Sequence, residues 1–152
     1  MGLTPAAGLL AATALHLGFQ AVVTAVVYPA LAEVPPDRWS AAHAAHRRRI
    51  TAVVGPVYAI TGAACLRVLT ARQPTPLASL AMAGTAVAVG STASVAGPTH
   101  ARLGREGPTS ALLARLRWSD RVRLASAGIA AGAALAAVLT DGQPAPGGAP
   151  HG

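Results

Sequence analysis

Four stretches of the chain carry no charge: Met1–Ala32, Ile50–Leu66, Gln73–Ala101 and Leu124–Thr140. A helix needs about 17–25 mostly apolar residues to cross a bilayer, and all four stretches reach that length, two at its lower edge. A soluble helix shows a polar face at the helical period. The run LASAGIAAGAALAAVLT (124–140) has no charged residue on any face. The pattern predicts an all-α fold, a four-transmembrane-helix bundle with spans at about 4–31, 50–70, 77–96 and 121–139. Breaks fall at AEVPPDRW, at the tight turn ARQPTP (71–76) and at GPTHARLGREGPTS (97–110), the longest loop. Helix two can begin at Pro36, since proline suits a first helical turn, and runs to Thr70. PTS offers helix four an N-cap, and that helix runs from Ser110 to Leu139. Helices two and four exceed the bilayer and extend beyond it on the cytoplasmic side. The segment 141–152, with its Pro/Gly-rich DGQPAPGGAPHG, reads as a disordered tail, and His151 within it takes no role.

Composition agrees with this pattern. The chain has 152 residues, 53% hydrophobic and 11% charged, against roughly 25% charged in a soluble domain. Mean hydropathy is only +0.48, because the spans use Ala and Gly more than Leu and Ile. No Lys or Arg precedes Arg38, and the first apolar run is too long for a cleaved signal peptide, so it reads as a retained span. The single Cys65 lies in span two and reads as a small buried residue. The net charge of +7 comes from 12 arginines and five acids. Ten arginines fall in the two long links and their flanking turns: 38, 47, 48, 49, 102, 105, 115, 117, 121 and 123. Arg67 and Arg72 fall opposite. The positive-inside rule then places both links in the cytoplasm and both termini outside, in a multi-pass cell-membrane protein. Nucleic-acid binding is set aside, because the aromatic interleaving of a single-strand binder is missing. Small residues in spans three and four permit close packing within one chain or in a homo-oligomer.

The polar residues that remain converge. WSAAHAAHRRRI (39–50) puts His43 and His46 three apart, on one helical face. That face continues as Trp39, His43, His46, Ile50, Val53 and Val57, an inward seam. His100 in GPTH follows span three at the same membrane level. Asp120 and Arg123 sit three apart where helix four meets the membrane, on the seam Leu113, Leu116, Asp120, Arg123, Ala127. Span one carries His16, Gln20, Thr24 and Tyr28 at four-residue spacing, a stripe that must face protein or water. Imidazole titrates near neutrality and is the commonest metal-binding side chain, although a metal normally takes three or four ligands. His43, His46 and His100 are therefore candidate bases or metal ligands, and Asp120 and Arg123 candidate orienting groups. Blander roles stand beside these: wet interfacial histidines, a helix cap at His100, a structural Asp120–Arg123 ion pair, and His16, Gln20 and Tyr28 as interhelical hydrogen-bond formers. The three arginines 47–49 read as a topology anchor, and Trp39 and Trp118 as interfacial belt residues.

Taken in order, YP (28–29), H-x-x-H-x-x-x-I-x-x-x-V-x-P (43–56), P-x-H-x-x-L (98–103) and D-x-x-R (120–123) resemble the small four-span membrane proteins of the anthrone-oxygenase-like group and their bacterial relatives. The resemblance covers about residues 16–125. Relatives often carry Asn-Trp-x-Arg where this chain has D-x-x-R. The resemblance implies a four-helix membrane bundle and, for the group's better-known members, oxidation of a polyketide-like aromatic substrate without a well-established cofactor. Two functions from different classes follow. One is an oxidoreductase- or oxygenase-like membrane enzyme on a hydrophobic small molecule reaching it from the bilayer, with the histidines as bases or as ligands to a metal or haem, oriented by carboxylate. The other is a non-catalytic scaffold, partner subunit or small-molecule permease. Permeases often show inverted repeats and broken spans; here no internal repeat stands out, and the span prolines Pro29 and Pro56 both lie near span ends.

Overall fold

The computed structural model describes residues 3–71 and 74–141. Arg72 and the tail at 142–152 lie outside the described residues. Four helices hold nearly all the rest, with no strand among the described residues: α1 Pro5–Ala32, α2 Trp39–Ala71, α3 Pro76–Glu106 and α4 Ser110–Asp141. All four are long and apolar enough to cross a membrane.

Local chemistry sets the starts. Thr4 and Thr75 each accept a hydrogen bond from the backbone N–H three residues on, at 3.2 Å, and each is followed by proline. The hydroxyl satisfies an orphan donor, and proline at the first position gives up an N–H that has no helical acceptor. Thr109 caps α4 in the same way, through Leu112 N at 3.3 Å.

Two helices widen to a π turn, at Val23–Val27 in α1 and at Thr92–Ala96 in α3. Each turn lies just before a proline, Pro29 or Pro98, whose ring would otherwise meet the carbonyl four residues back. The wider turn also changes register. After buried Val23 an α-helix would next face inward at residue 27; the extra residue brings Tyr28 inward instead, and Leu31 after it.

The tightest packing joins α3 to α4. A Cβ on Gly84 would stand 2.8 Å from the Ser126 carbonyl oxygen and 3.1 Å from Ala130 N. Ala81, Ala88, Ala127, Ala130 and Ala134 are buried around it. The small residues of spans three and four thus serve contact within one chain. Larger side chains (Tyr28, Leu31, Trp39, Leu103, Leu112, Leu116) fill the end that carries the arginine-rich links.

Four expectations are corrected. Residues 97–106 are not a loop: α3 runs through to Glu106, supported by an Arg102–Glu106 pair one turn apart, and stops at Gly107, whose φ of 79° suits glycine. Helix two begins at Trp39 rather than Pro36, after a turn in which Arg38 N and Trp39 N bond to Pro35 O and Pro36 O. On its inner face Val54, not Val53, turns toward the bundle; Val53 is 50% exposed. Trp39 is not a belt residue, for it is buried and its indole N–H donates to Leu103 O at 3.1 Å, while Trp118 is exposed as expected.

Candidate functional site

The predicted polar residues meet at the arginine-rich end of the bundle in two adjoining groups. The deeper group joins all four helices. Gln20 Nε2 donates to Asp120 Oδ1 at 2.5 Å. Arg123 Nη2 donates to the same oxygen at 3.3 Å and to Tyr28 OH at 2.7 Å. Arg123 Nη1 reaches Thr92 Oγ1 at 3.5 Å, and Thr92 shares a 2.6 Å bond with Tyr58 OH. The guanidinium also lies 5.7 Å from the centre of the Tyr28 ring. The ion pair expected from D-x-x-R therefore exists, and Gln20 and Tyr28 of the span-one stripe are its partners. Thr24 donates to Gln20 O of its own helix.

His16, the deepest stripe member, is fully buried, edge-on to Tyr58 at 5.2 Å between ring centres. Neither of its ring nitrogens has a partner among the described residues. Tyr58, bonded to Thr92, links it to the network.

The outer group is a stack of rings. Trp39 lies on His43 (5.1 Å, 12° between planes), His43 on His100 (5.4 Å, 23°), and His46 is 5.4 Å from His100. His43 Nε2 and His100 Nδ1 are 3.2 Å apart and share a hydrogen bond. Gly104 lies against this stack, where a Cβ would make an ordinary contact with the His43 ring at 3.7 Å. The π turn before Pro98 sets the register that lets His100 reach α2. The His43–His100 pair is spent on its own hydrogen bond, and the His46 ring is tilted 37° from His100. Among the described residues no group of three His, Cys, Asp or Glu side chains is arranged to hold a metal ion.

These three histidines lie outside the membrane-spanning segments expected from the sequence at about 50–70 and 77–96. Burial pushes all three below the ordinary histidine value. Neighbouring His46 and Arg47 add to this at His43. His100 is pushed to about 3 by burial, then by His46, His43, Arg123 and Arg47. All three are neutral at pH 7, as a general base must be.

Between the two groups lies a cavity of about 170 Å³. Its polar lining includes Gln20, Tyr28, His46, Thr92, His100 and Arg123, and its apolar lining Phe19, Val23, Ile50, Val54 and Ala96. It exists because α2 stands off the bundle there: between His43 and Val57 no residue of α2 is fully buried. A larger cavity of about 700 Å³ at the other end of the bundle is lined mainly by apolar residues and holds none of the expected site residues.

Sequence reading missed Tyr58, Thr92 and the cavity itself. Tyr58 carried a signal, being one of two tyrosines and placed inside an uncharged run. Thr92 sits among Ser91 and Ser94 in span three, a polar cluster whose inward member depends on the π turn. Comparison with family models, curated proteins and solved structures gives no match for this chain.

Proposed function

We propose that the chain is an integral membrane protein of four spans, with both termini outside and the arginine-rich links in the cytoplasm, and that its cavity is the site of an oxidoreductase- or oxygenase-like reaction on a small hydrophobic molecule. The observation that carries this reading is the shared lining of one cavity: neutral His46 and His100, the Arg123 cation and a wall of apolar side chains. His46 would take a proton from an acidic C–H or O–H of the substrate, and Arg123 would hold the oxyanion so formed; His100, with its pKa pushed to about 3, is too weak a base and would serve as a wall of the site. The oxidising step is what the likeness to the anthrone-oxygenase-like group suggests. A metal ion or haem, were one bound, would take its ligands from His43, His46 and His100, which as placed are not arranged to hold one. Elemental analysis and an absorption spectrum of the purified protein decide that point.

The test is turnover in lipid nanodiscs, with oxygen consumption and product mass followed over a panel of hydroxylated aromatic substrates. His46→Ala should stay folded and lose about 10²–10⁴-fold in rate, the usual worth of a general base, and His100→Ala should stay folded and lose less. Folded variants that turn over like the wild type would sink the proposal. The non-catalytic reading draws on the internal closure of the Gln20–Asp120–Arg123–Tyr28 network, which suits a structural cross-link. It expects both histidines to tolerate alanine.

A further inference from the structure

The cavity is amphipathic along its length. Its polar end, at Tyr28, His46 and His100, lies toward the arginine-rich links. Phe19 of α1 and Val54 of α2 line it two turns deeper, where the polar lining residues Gln20 and Thr92 are already bonded to Asp120 and Tyr58. Two lining residues hold a buried polar atom without a partner: His46 at Nε2 and Arg123 at Nε. Arg123 is itself only 6% exposed. Its other two nitrogens are bonded, so the Nε–H is the donor left over. Arg47 on the rim adds a second positive charge. An unpaired buried donor is costly, and an acceptor oxygen, best an ionisable one, relieves it.

Size narrows the ligand further. A cavity of about 150 Å³ holds one benzene ring, so about 170 Å³ takes one substituted ring and not a fused polycycle. The apolar end is bordered by half-buried Phe19, Ile50 and Val54 and by exposed Thr51, which leaves a way out along α2 toward the lipid.

We propose that this cavity binds the ring of a membrane-borne amphiphile, a single ring bearing an ionisable hydroxyl, with the oxygen toward Arg123 and His46 and an alkyl tail leaving along Phe19, Ile50 and Val54 into the bilayer. This rests on the reading that the cavity receives a hydrophobic small molecule, and it names the class.

The probe is a 4-alkylphenol carrying a diazirine and an alkyne, photolysed with the full chain in nanodiscs, with labelled peptides mapped by mass spectrometry. Labels should fall on α1 around Phe19 and α2 around 46–54. 4-Nonylphenol should compete about tenfold better than nonylbenzene, as for one hydrogen bond to a charged group, and better than phenol without a tail. Val54→Trp, which fills the apolar end without touching the polar network, should abolish the labelling while thermal unfolding stays cooperative. Equal competition by nonylbenzene, or unchanged labelling in Val54→Trp, would overturn the inference. The two proposals fail separately. If His46→Ala keeps turnover and alkylphenol binding, the catalytic role falls and this site stands. If substrates lacking hydroxyl and tail are turned over while the cavity stays unlabelled, this site falls and the catalysis stands.

Discussion

Asp120 and Arg123 show how one pair of residues can commit a bundle to a single arrangement. Their side chains are only 5% and 7% exposed, and the pair is completed by Gln20 and Tyr28 from another helix. Removing one member of a buried pair strands the other charge, at about 3–5 kcal/mol, whereas replacing both by apolar groups is often nearly neutral. Arg123→Leu should therefore destabilise by about 3–5 kcal/mol, and Asp120→Leu/Arg123→Leu should recover much of that loss. A double-mutant cycle on unfolding in detergent reads the difference; additive losses would show that the pair is not coupled. The pair itself was legible, because three-residue spacing on a helix leaves few other outcomes. Its partners were legible in part. Gln20 and Tyr28 stood out as polar residues inside an apolar span, but nothing in the local sequence marked Thr92 as the stripe member of α3.

The elements were legible as lengths and less so as registers. Charge-free runs located all four helices, because the hydrocarbon layer sets both span length and composition, but not all their ends: α3 continues past 96 to Glu106. Register was harder, because the reading assumed an unbroken α-helix. A four-residue stripe such as His16, Gln20, Thr24, Tyr28 overruns an α-helix by about 40° per step. The π turn at Val23–Val27 absorbs that overrun, and the stripe together with YP was its signature. Pro98 after a polar small-residue stretch is the matching sign in α3. The small residues, by contrast, act through α-helical contact. Gly84 sits against α4 backbone, which cannot move aside as a flexible side chain would, so Gly84→Ala should cost about 1–3 kcal/mol through overpacking. Gly90 has open space where its Cβ would stand, and Gly90→Ala should gain up to about 1 kcal/mol of helix propensity. Midpoints of thermal unfolding for the two variants should lie on opposite sides of the wild type, and a Gly84→Ala at or above wild type would show that the α3–α4 contact is looser than 2.8 Å implies.

For the whole molecule, the ring stack ties the ends of α2 and α3 together above the apolar spans, and it should make stability depend on pH. The folded chain holds His43, His46 and His100 neutral by burial, while an unfolded chain protonates each near pH 6.5. Below that pH the unfolded state binds more protons than the folded one, so folding weakens as acid is added. The loss begins as pH falls through about 6.5. It continues toward about 3, where His100 protonates within the fold. Above pH 7 both states are neutral at these rings and the dependence vanishes. The unfolding midpoint in detergent should therefore be flat from pH 8 to 7 and fall between 6.5 and 5, a range in which unperturbed Asp and Glu are already ionised. His100→Gln removes the most shifted of the three groups and should flatten the acid limb while leaving the plateau near its former level. A midpoint that rises on acidification would mean that the folded chain prefers charged imidazoles, as it would if an anion sat among them beside Arg47 and Arg123.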